Sequence, residues 1–202
     1  MDLKKGKQMT ALTPSPILSS IRSGMLVKRF HTQSILREDT VGHHSANVAA
    51  LIIWLCHPSH PSSEILCAAI LHDVGEYWTG DTPAQVKWGS KTLKDELDRL
   101  EKLGWKNSGW NDPKFALTSD DERMLKFCDI AELCLKCIHE VELGNKTVVD
   151  IGNRCIEKLD NMLSSSPLDS RFMGKANNLV NFMEGVLNAS EYETNWRGTL
   201  QV

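Results

Sequence analysis

SSEILCAAILHDVGEYWTGDTP, running from Ser62 to Pro83, is the stretch whose reading organises the rest of the chain. Ser62 and Ser63 are residue types that cap helix N-termini, and Glu64 places a carboxylate in the first turn, where the helix dipole favours it. Ile65 to Leu71 is an unbroken apolar run, suited to a helix buried on most sides. It ends on His72-Asp73. A carboxylate at the end of a buried helix is costly unless something pairs with it. Glu76 lies three residues after Asp73 and four after His72, so all three share one face if the helix continues. Gly80, Asp81 and Pro83 then break the pattern into a loop followed by a short turn.

The same periodicity extends outward in both directions. Ile17, Leu18, Ile21, Met25 and Leu26 recur at helical spacing, with Pro16 in a first turn. A second helix is expected from His43 to Cys56, stopping before Pro58. Lys91 to Leu103 reads as a charged amphipathic helix, and 105–113 as a loop. Ser119 with Glu122 matches a capping box that opens a long helix ending at Leu143, before Gly144-Asn145. Thr147 is the expected cap of the next helix, to Leu163, and Arg171 to Leu187 is the last. No strand alternation and no internal repeat is legible. The expectation is an all-α bundle of six or seven helices: a flexible arm over 1–14, one domain over 15–190 and a polar tail over 191–202.

Bulk properties narrow the class. With 202 residues, 41% hydrophobic and 24% charged, the chain can bury a sizeable core without disulfides. A net charge of -3 lacks the basic excess of a nucleic-acid binder, so no nucleic-acid partner is expected. The longest apolar run, Val48 to Cys56, is too short to span a bilayer, and no apolar leader is legible. Six cysteines without such a leader suggest free thiols and a cytoplasmic setting. Cys134-x-x-Cys137 lacks a second pair and lies within a predicted helix, which makes it a weak redox or metal signal.

Four residues from three separated segments share one chemistry: His44, His72, Asp73 and Asp129. Imidazole and carboxylate suit a borderline divalent metal, and helices packed as one bundle can bring them together. A single histidine on an apolar helix is more often a core or surface group, and His43 beside His44 leaves the choice between them open at this point. Glu76 can act as a general acid or base beside such a metal, or be a surface helix-end glutamate. Lys28, Arg29, Arg37 and Lys87 are the basic residues nearby that suit a phosphate. Phe30 and Trp78 can stack a base or belong to the core.

The ordered set Arg29-Phe30, Thr40-Val41-Gly42-His43-His44-Ser45, His72-Asp73-x-x-Glu76, Thr79-Gly80-Asp81-Thr82-Pro83 with Val86-Lys87, and Asp129 followed by Leu135-Lys136-Cys137 and Gly144-Asn145 resembles the HD-domain superfamily, with its H…HD…D motif. Within it the chain is most similar to bacterial YfbR-type 5′-deoxynucleotidases and phage dATP triphosphohydrolases of the DatZ type, over Ile17 to Leu163. That resemblance implies one divalent ion, with cobalt, zinc or manganese ahead of magnesium, held by His44, His72, Asp73 and Asp129. It implies Glu76 and Asp81 as catalytic carboxylates. It implies Arg29, Phe30, Thr32 and Lys87 as substrate contacts, with Phe30 standing where the family often has tryptophan; Trp78, able to stack a base, joins them as a candidate contact. It further implies a deoxynucleotide substrate, dATP or a dNMP, a homo-oligomer (a dimer or a ring of dimers), and a host-cytoplasm setting if the chain is phage-encoded. Between Asp73 and Asp129 there is no histidine, which argues against a dinuclear site. A nucleotide sensor that kept the fold without turnover is the rival class.

Overall fold

Apolar residues at helical spacing dictate helices that must bury one stripe each, and the chain satisfies them around a single long helix. The computed structural model describes residues 16–107 and 111–197. Among them run nine α-helices: α1 (Pro16–Gly24), α2 (Val41–Cys56), α3 (Ser63–Leu71), α4 (Glu76–Thr79), α5 (Ala84–Gly89), α6 (Lys91–Asn107), α7 (Ser119–Glu142), α8 (Val149–Ser165) and α9 (Ser170–Arg197). The expected all-α bundle is present. The additional elements are short: α4 precedes the Gly80–Pro83 loop, and α5 occupies the region read as the short turn after it. Two-residue strands β1 (Lys28–Arg29) and β2 (Asp39–Thr40) pair antiparallel, with Lys28 opposite Thr40 and Arg29 opposite Asp39. Two residues are too few to produce a legible alternation.

α7 is the central post, packed against α2, α3, α8 and α9. Phe127, Cys128, Ala131, Cys134 and Cys137 on α7 are fully buried, as are Ile52 on α2, Leu159 on α8 and Leu187 on α9. Each large aliphatic or aromatic side chain so buried contributes about 1.5–3 kcal/mol. All six cysteines are free, so this burial holds the bundle without covalent staples. No described helix is long and apolar enough to cross a membrane.

Helix ends show where local sequence rules held and where they slipped. Ser62 caps α3 through its side chain, as its type requires. α7 is capped by Thr118 with Asp121 in a reciprocal box, one residue before the expected Ser119/Glu122 pair. Both pairs have the spacing, and the extended backbone at Thr118 decides between them. Asn145, not Thr147, caps the turn of 3-10 helix Lys146–Val148 that leads into α8. α1 stops at Gly24, and Met25 to Val27 turn into β1.

Two helices outrun their expected ends. α6 continues through Gly104 to Asn107 because that glycine admits Trp78: a Cβ there would sit 2.2 Å from the indole Cδ2. α9 runs to Arg197 rather than Leu187, since nothing between Gly185 and Gly198 interrupts a helix. Residues 191–197, expected as polar tail, are therefore helical. The arm over 1–14 and the last five residues lie outside the described residues.

Candidate active site

His44 enters the site because Thr40 fixes the start of α2. The Thr40 side chain accepts from the His43 N–H at 3.3 Å, which places His44 in the first turn, fully buried. His43 points elsewhere, exposed and 3.3 Å from the Asp39 carboxylate. His72 and Asp73 follow the last residue of α3 in a turn, not on a continued helix as one reading of the spacing allowed. Glu76 reaches the same neighbourhood by opening α4. Asp129 projects from the middle of α7.

One ligand atom from each of His44, His72, Asp73 and Asp129 lies within 4.8 Å of all the others. The His44 Nε2 is 3.2 Å from Asp129 Oδ1 and 3.6 Å from Asp73 Oδ2. The His72 Nε2 is 3.3 Å from Asp73 Oδ2. The far side of each ring fixes its tautomer. His72 Nδ1 lies 2.9 Å from the Ala69 carbonyl, which can only accept, so the proton is on Nδ1. His44 Nδ1 is hydrogen-bonded to the buried Glu132 carboxylate, which also accepts from Asn47 Nδ2 at 3.1 Å. Both Nε2 atoms thus face two carboxylates, and neither has a hydrogen-bond partner among the described residues. Four donors with that polarity fit a divalent cation, and outer carboxylate and carbonyl groups of this kind orient metal-binding imidazoles.

Electrostatics agree. Burial alone would pull the His72 proton off, but Asp73 and Asp129 more than offset it and hold the imidazole up to about 9. The pair of carboxylates demands positive charge at this point. Burial works against Asp129 as well, yet the Lys126 ammonium at 2.7 Å and His72 hold its carboxyl down.

A cavity of about 840 Å³ opens beside the cluster. Arg29, Phe30, Thr32, Glu76, Asp81 and Lys87 all line it. Glu76 Oε1 accepts from Lys87 Nζ at 2.7 Å, and burial together with Asp73 pushes its carboxyl up against the pull of Lys87. Burial likewise raises Asp81, opposed by Arg29 and Lys87. Arg29 is held 3.7 Å from Asp39, and its Nη1 is buried without a partner among the described residues. Lys28 and Arg37 lie outside the cavity lining; the Lys28 side chain pairs with Glu38 at 2.6 Å instead.

Trp78 is a correction. It does not line the cavity: its indole packs edge-on against Trp105, centroids 5.4 Å apart, over Gly104. The indoles on the wall are Trp88, which carries Lys158 Nζ 3.8 Å from its ring centroid, and Trp105 itself. Lys126, Glu132 and Trp88 were missed. Lys126 and Glu132 stand three residues either side of Asp129 on α7, a helical spacing that pointed to them. No sequence signal distinguished Trp88 from Trp78.

The helical bundle has the HD phosphohydrolase fold, its two-histidine, two-carboxylate cluster suits a divalent metal, and the relatives found by sequence make the chain a hydrolase. Residues 18–108 match the family profile described as 5′-deoxynucleotidase YfbR-like. The 5′-deoxynucleotidase of Pectobacterium atrosepticum is 26% identical over 163 residues, covering 71% of this chain and 81% of that one. That of Shewanella oneidensis is 25% identical over 167 residues, covering 70% and 80%. Among solved structures, the cyanophage S-2L HD phosphohydrolase DatZ, bound to dA and one catalytic Zn2+ ion, superposes with a TM-score of 0.65 at 19% identity, covering 91% of this chain and 99% of that one. An HD-domain phosphohydrolase of Listeria innocua gives 0.59 at 15% identity, covering 82% and 97%.

Proposed function

We propose that the chain hydrolyses deoxynucleotides at the α-phosphorus, releasing the deoxynucleoside, with dATP as the substrate and a dNMP as the second reading. The observation that carries this is the joining of a metal-competent cluster to a cavity of about 840 Å³ whose walls hold buried cations beside an aromatic. That volume is in the upper part of the range for small-molecule sites. The names and ligands of the relatives support the substrate class: 5′-deoxynucleotidases by sequence, and a phosphohydrolase bound to dA by fold.

His44, His72, Asp73 and Asp129 would hold the ion, which when bound supplies Lewis acidity toward the phosphoryl group and the attacking water. Glu76, with its pKa raised toward neutrality by burial, takes the proton from the water, and Asp81 serves as the second acidic group. Arg29 offers a guanidinium already desolvated and tethered to Asp39, suited to a phosphate in the transition state. Lys87 neutralises charge from the opposite side while pairing with Glu76. Phe30 and Thr32 line the nucleoside half. Lys94, Lys102, Lys114 and Lys126 extend the lining, interspersed with Asp98, Glu101, Asp112 and Glu122.

The test is chromatographic product analysis with each dNTP and dNMP in the presence of cobalt, manganese, zinc or magnesium. Deoxyadenosine and intact triphosphate from dATP are expected. Turnover confined to dNMPs would establish the second reading, and tight nucleotide binding without turnover under every metal would overturn the enzyme reading in favour of a sensor.

A further inference from the structure

The nine residues 30–38 join β1 to β2, and their two limbs do different things. Phe30, His31, Thr32 and Gln33 line the cavity. Residues 34–37 are strapped to the C-terminal half of α7. Glu140, fully buried there, accepts from the Leu36 N–H at 2.6 Å and the Arg37 N–H at 3.1 Å. Lys136 Nζ donates to the Arg37 carbonyl at 2.8 Å and to Glu140 at 2.9 Å. Asn145 Nδ2 donates to the Ser34 carbonyl at 2.8 Å and to Glu140 at 2.9 Å. The Thr147 hydroxyl also reaches the Ser34 carbonyl, at 3.3 Å.

We propose that Glu140, with Lys136 and Asn145, is a positioning centre for substrate: it fixes the outer limb of the 30–38 loop and thereby sets Phe30 and Thr32 against the nucleoside. The proposal rests on the deoxynucleotide reading of the cavity. Three features of the loop require such a centre. Phe30 adopts φ 56, a left-handed backbone that costs a non-glycine residue free energy and persists where surrounding contacts over-determine it. The inner limb has little hydrogen bonding of its own, the Gln33 N–H to the Phe30 carbonyl at 2.9 Å closing its turn. The hairpin has two residues per strand, too short to hold a nine-residue loop by ladder bonds.

The chemistry of Glu140 is that of a designed acceptor. Burial alone would push its carboxyl up, but the Leu36 N–H, Asn145, Lys136 and the Arg37 N–H hold it down to about 2. Its carboxylate does not line the cavity itself. It acts through the loop.

Two isosteric variants test this on the full chain loaded with manganese. Glu140→Gln leaves one acceptor where two backbone donors converge. Asn145→Asp keeps the cap oxygen for the Thr147 N–H but turns a second acceptor on the Ser34 carbonyl and on Glu140. Asn145→Ser, which restores a small donor, is the rescue. Amide exchange, metal affinity, and KM and kcat on dATP and dAMP are measured. The expected result is faster exchange over 30–37 but not over α2 or α7, KM raised about tenfold, and kcat and metal affinity within threefold, with Asn145→Ser between wild type and Asn145→Asp. Faster exchange with KM unmoved overturns the positioning role, as does parallel loss of kcat, KM and metal affinity. Absence of any deoxynucleotide turnover by the unaltered protein overturns the substrate reading and this inference with it. Turnover by the unaltered protein with both variants unchanged overturns this inference alone.

Discussion

Replacing Glu132 probes whether the cluster is a metal site and not a chance meeting of polar groups. The carboxylate receives two donors, the His44 Nδ1–H and Asn47 Nδ2. Burial raises the Glu132 carboxyl, opposed by Arg29 and Asn47. With Glu132 as the acceptor at Nδ1, Nε2 is the nitrogen left for a metal. In Glu132→Gln the amide still offers one oxygen to Nδ1–H if Asn47 turns its own oxygen inward, so what is lost is mainly the charge assistance, about 1.4 kcal/mol or tenfold in affinity. Glu132→Ala removes both acceptors and frees the tautomer. Its expected loss is about 100-fold, or roughly 3 kcal/mol, the upper end for groups that orient a metal-binding imidazole. Manganese and zinc affinities from competition with a chelating dye measure both, with far-ultraviolet circular dichroism confirming the fold. Retention of wild-type affinity in folded Glu132→Ala would refute the reasoning, because it would mean that His44 needs no orientation or is no ligand.

Metal affinity should climb with pH across 7 to 9, because His72, held up to about 9 by its carboxylates, must surrender a proton to bind. Titration calorimetry in buffers of different ionisation enthalpy would show the release, and an affinity flat over that range would contradict it. Without metal the sign for stability is the reverse: a raised imidazole pKa stabilises below its unfolded value of 6.5, and that contribution fades as pH rises through about 9. Glu140, lowered from 4.5 to about 2, contributes about 3 kcal/mol in full above pH 4.5, lost as pH falls toward 2. Acid unfolding of Glu140→Gln should therefore have a shallower slope between those values, and an unchanged slope would count against it. Gly104→Ala should cost about 1–3 kcal/mol by driving a methyl into Trp78, lowering Tm by about 2–4 °C for each kcal/mol. A thermal melt equal to wild type would show that the indole moves aside freely. Arg29→Lys keeps the charge but loses the planar fork, and turnover should fall at least tenfold with metal affinity retained, as measured by product release and dye competition.

By itself the sequence determined most of what is local. Apolar spacing and cap residues gave the long helices, since both act within a few residues. His72-Asp73 after an apolar run, Glu76 three residues on, and Asp129 on a long helix were legible as metal and proton chemistry because burying such groups without a task is costly. Tertiary structure decided the rest. Position along the chain does not reveal which way a side chain is aimed once helices pack, so Trp78 read like Trp88, and only packing over Gly104 separated them. The helix expected to end at Leu103 runs on through Gly104, whose missing Cβ is where that indole rests. Glu132 and Glu140 looked like ordinary acids of an amphipathic helix. Their roles come from His44, 88 residues away, and from Leu36, 104 residues away, because burial and a distant donor turn a solvated charge into a fixed acceptor.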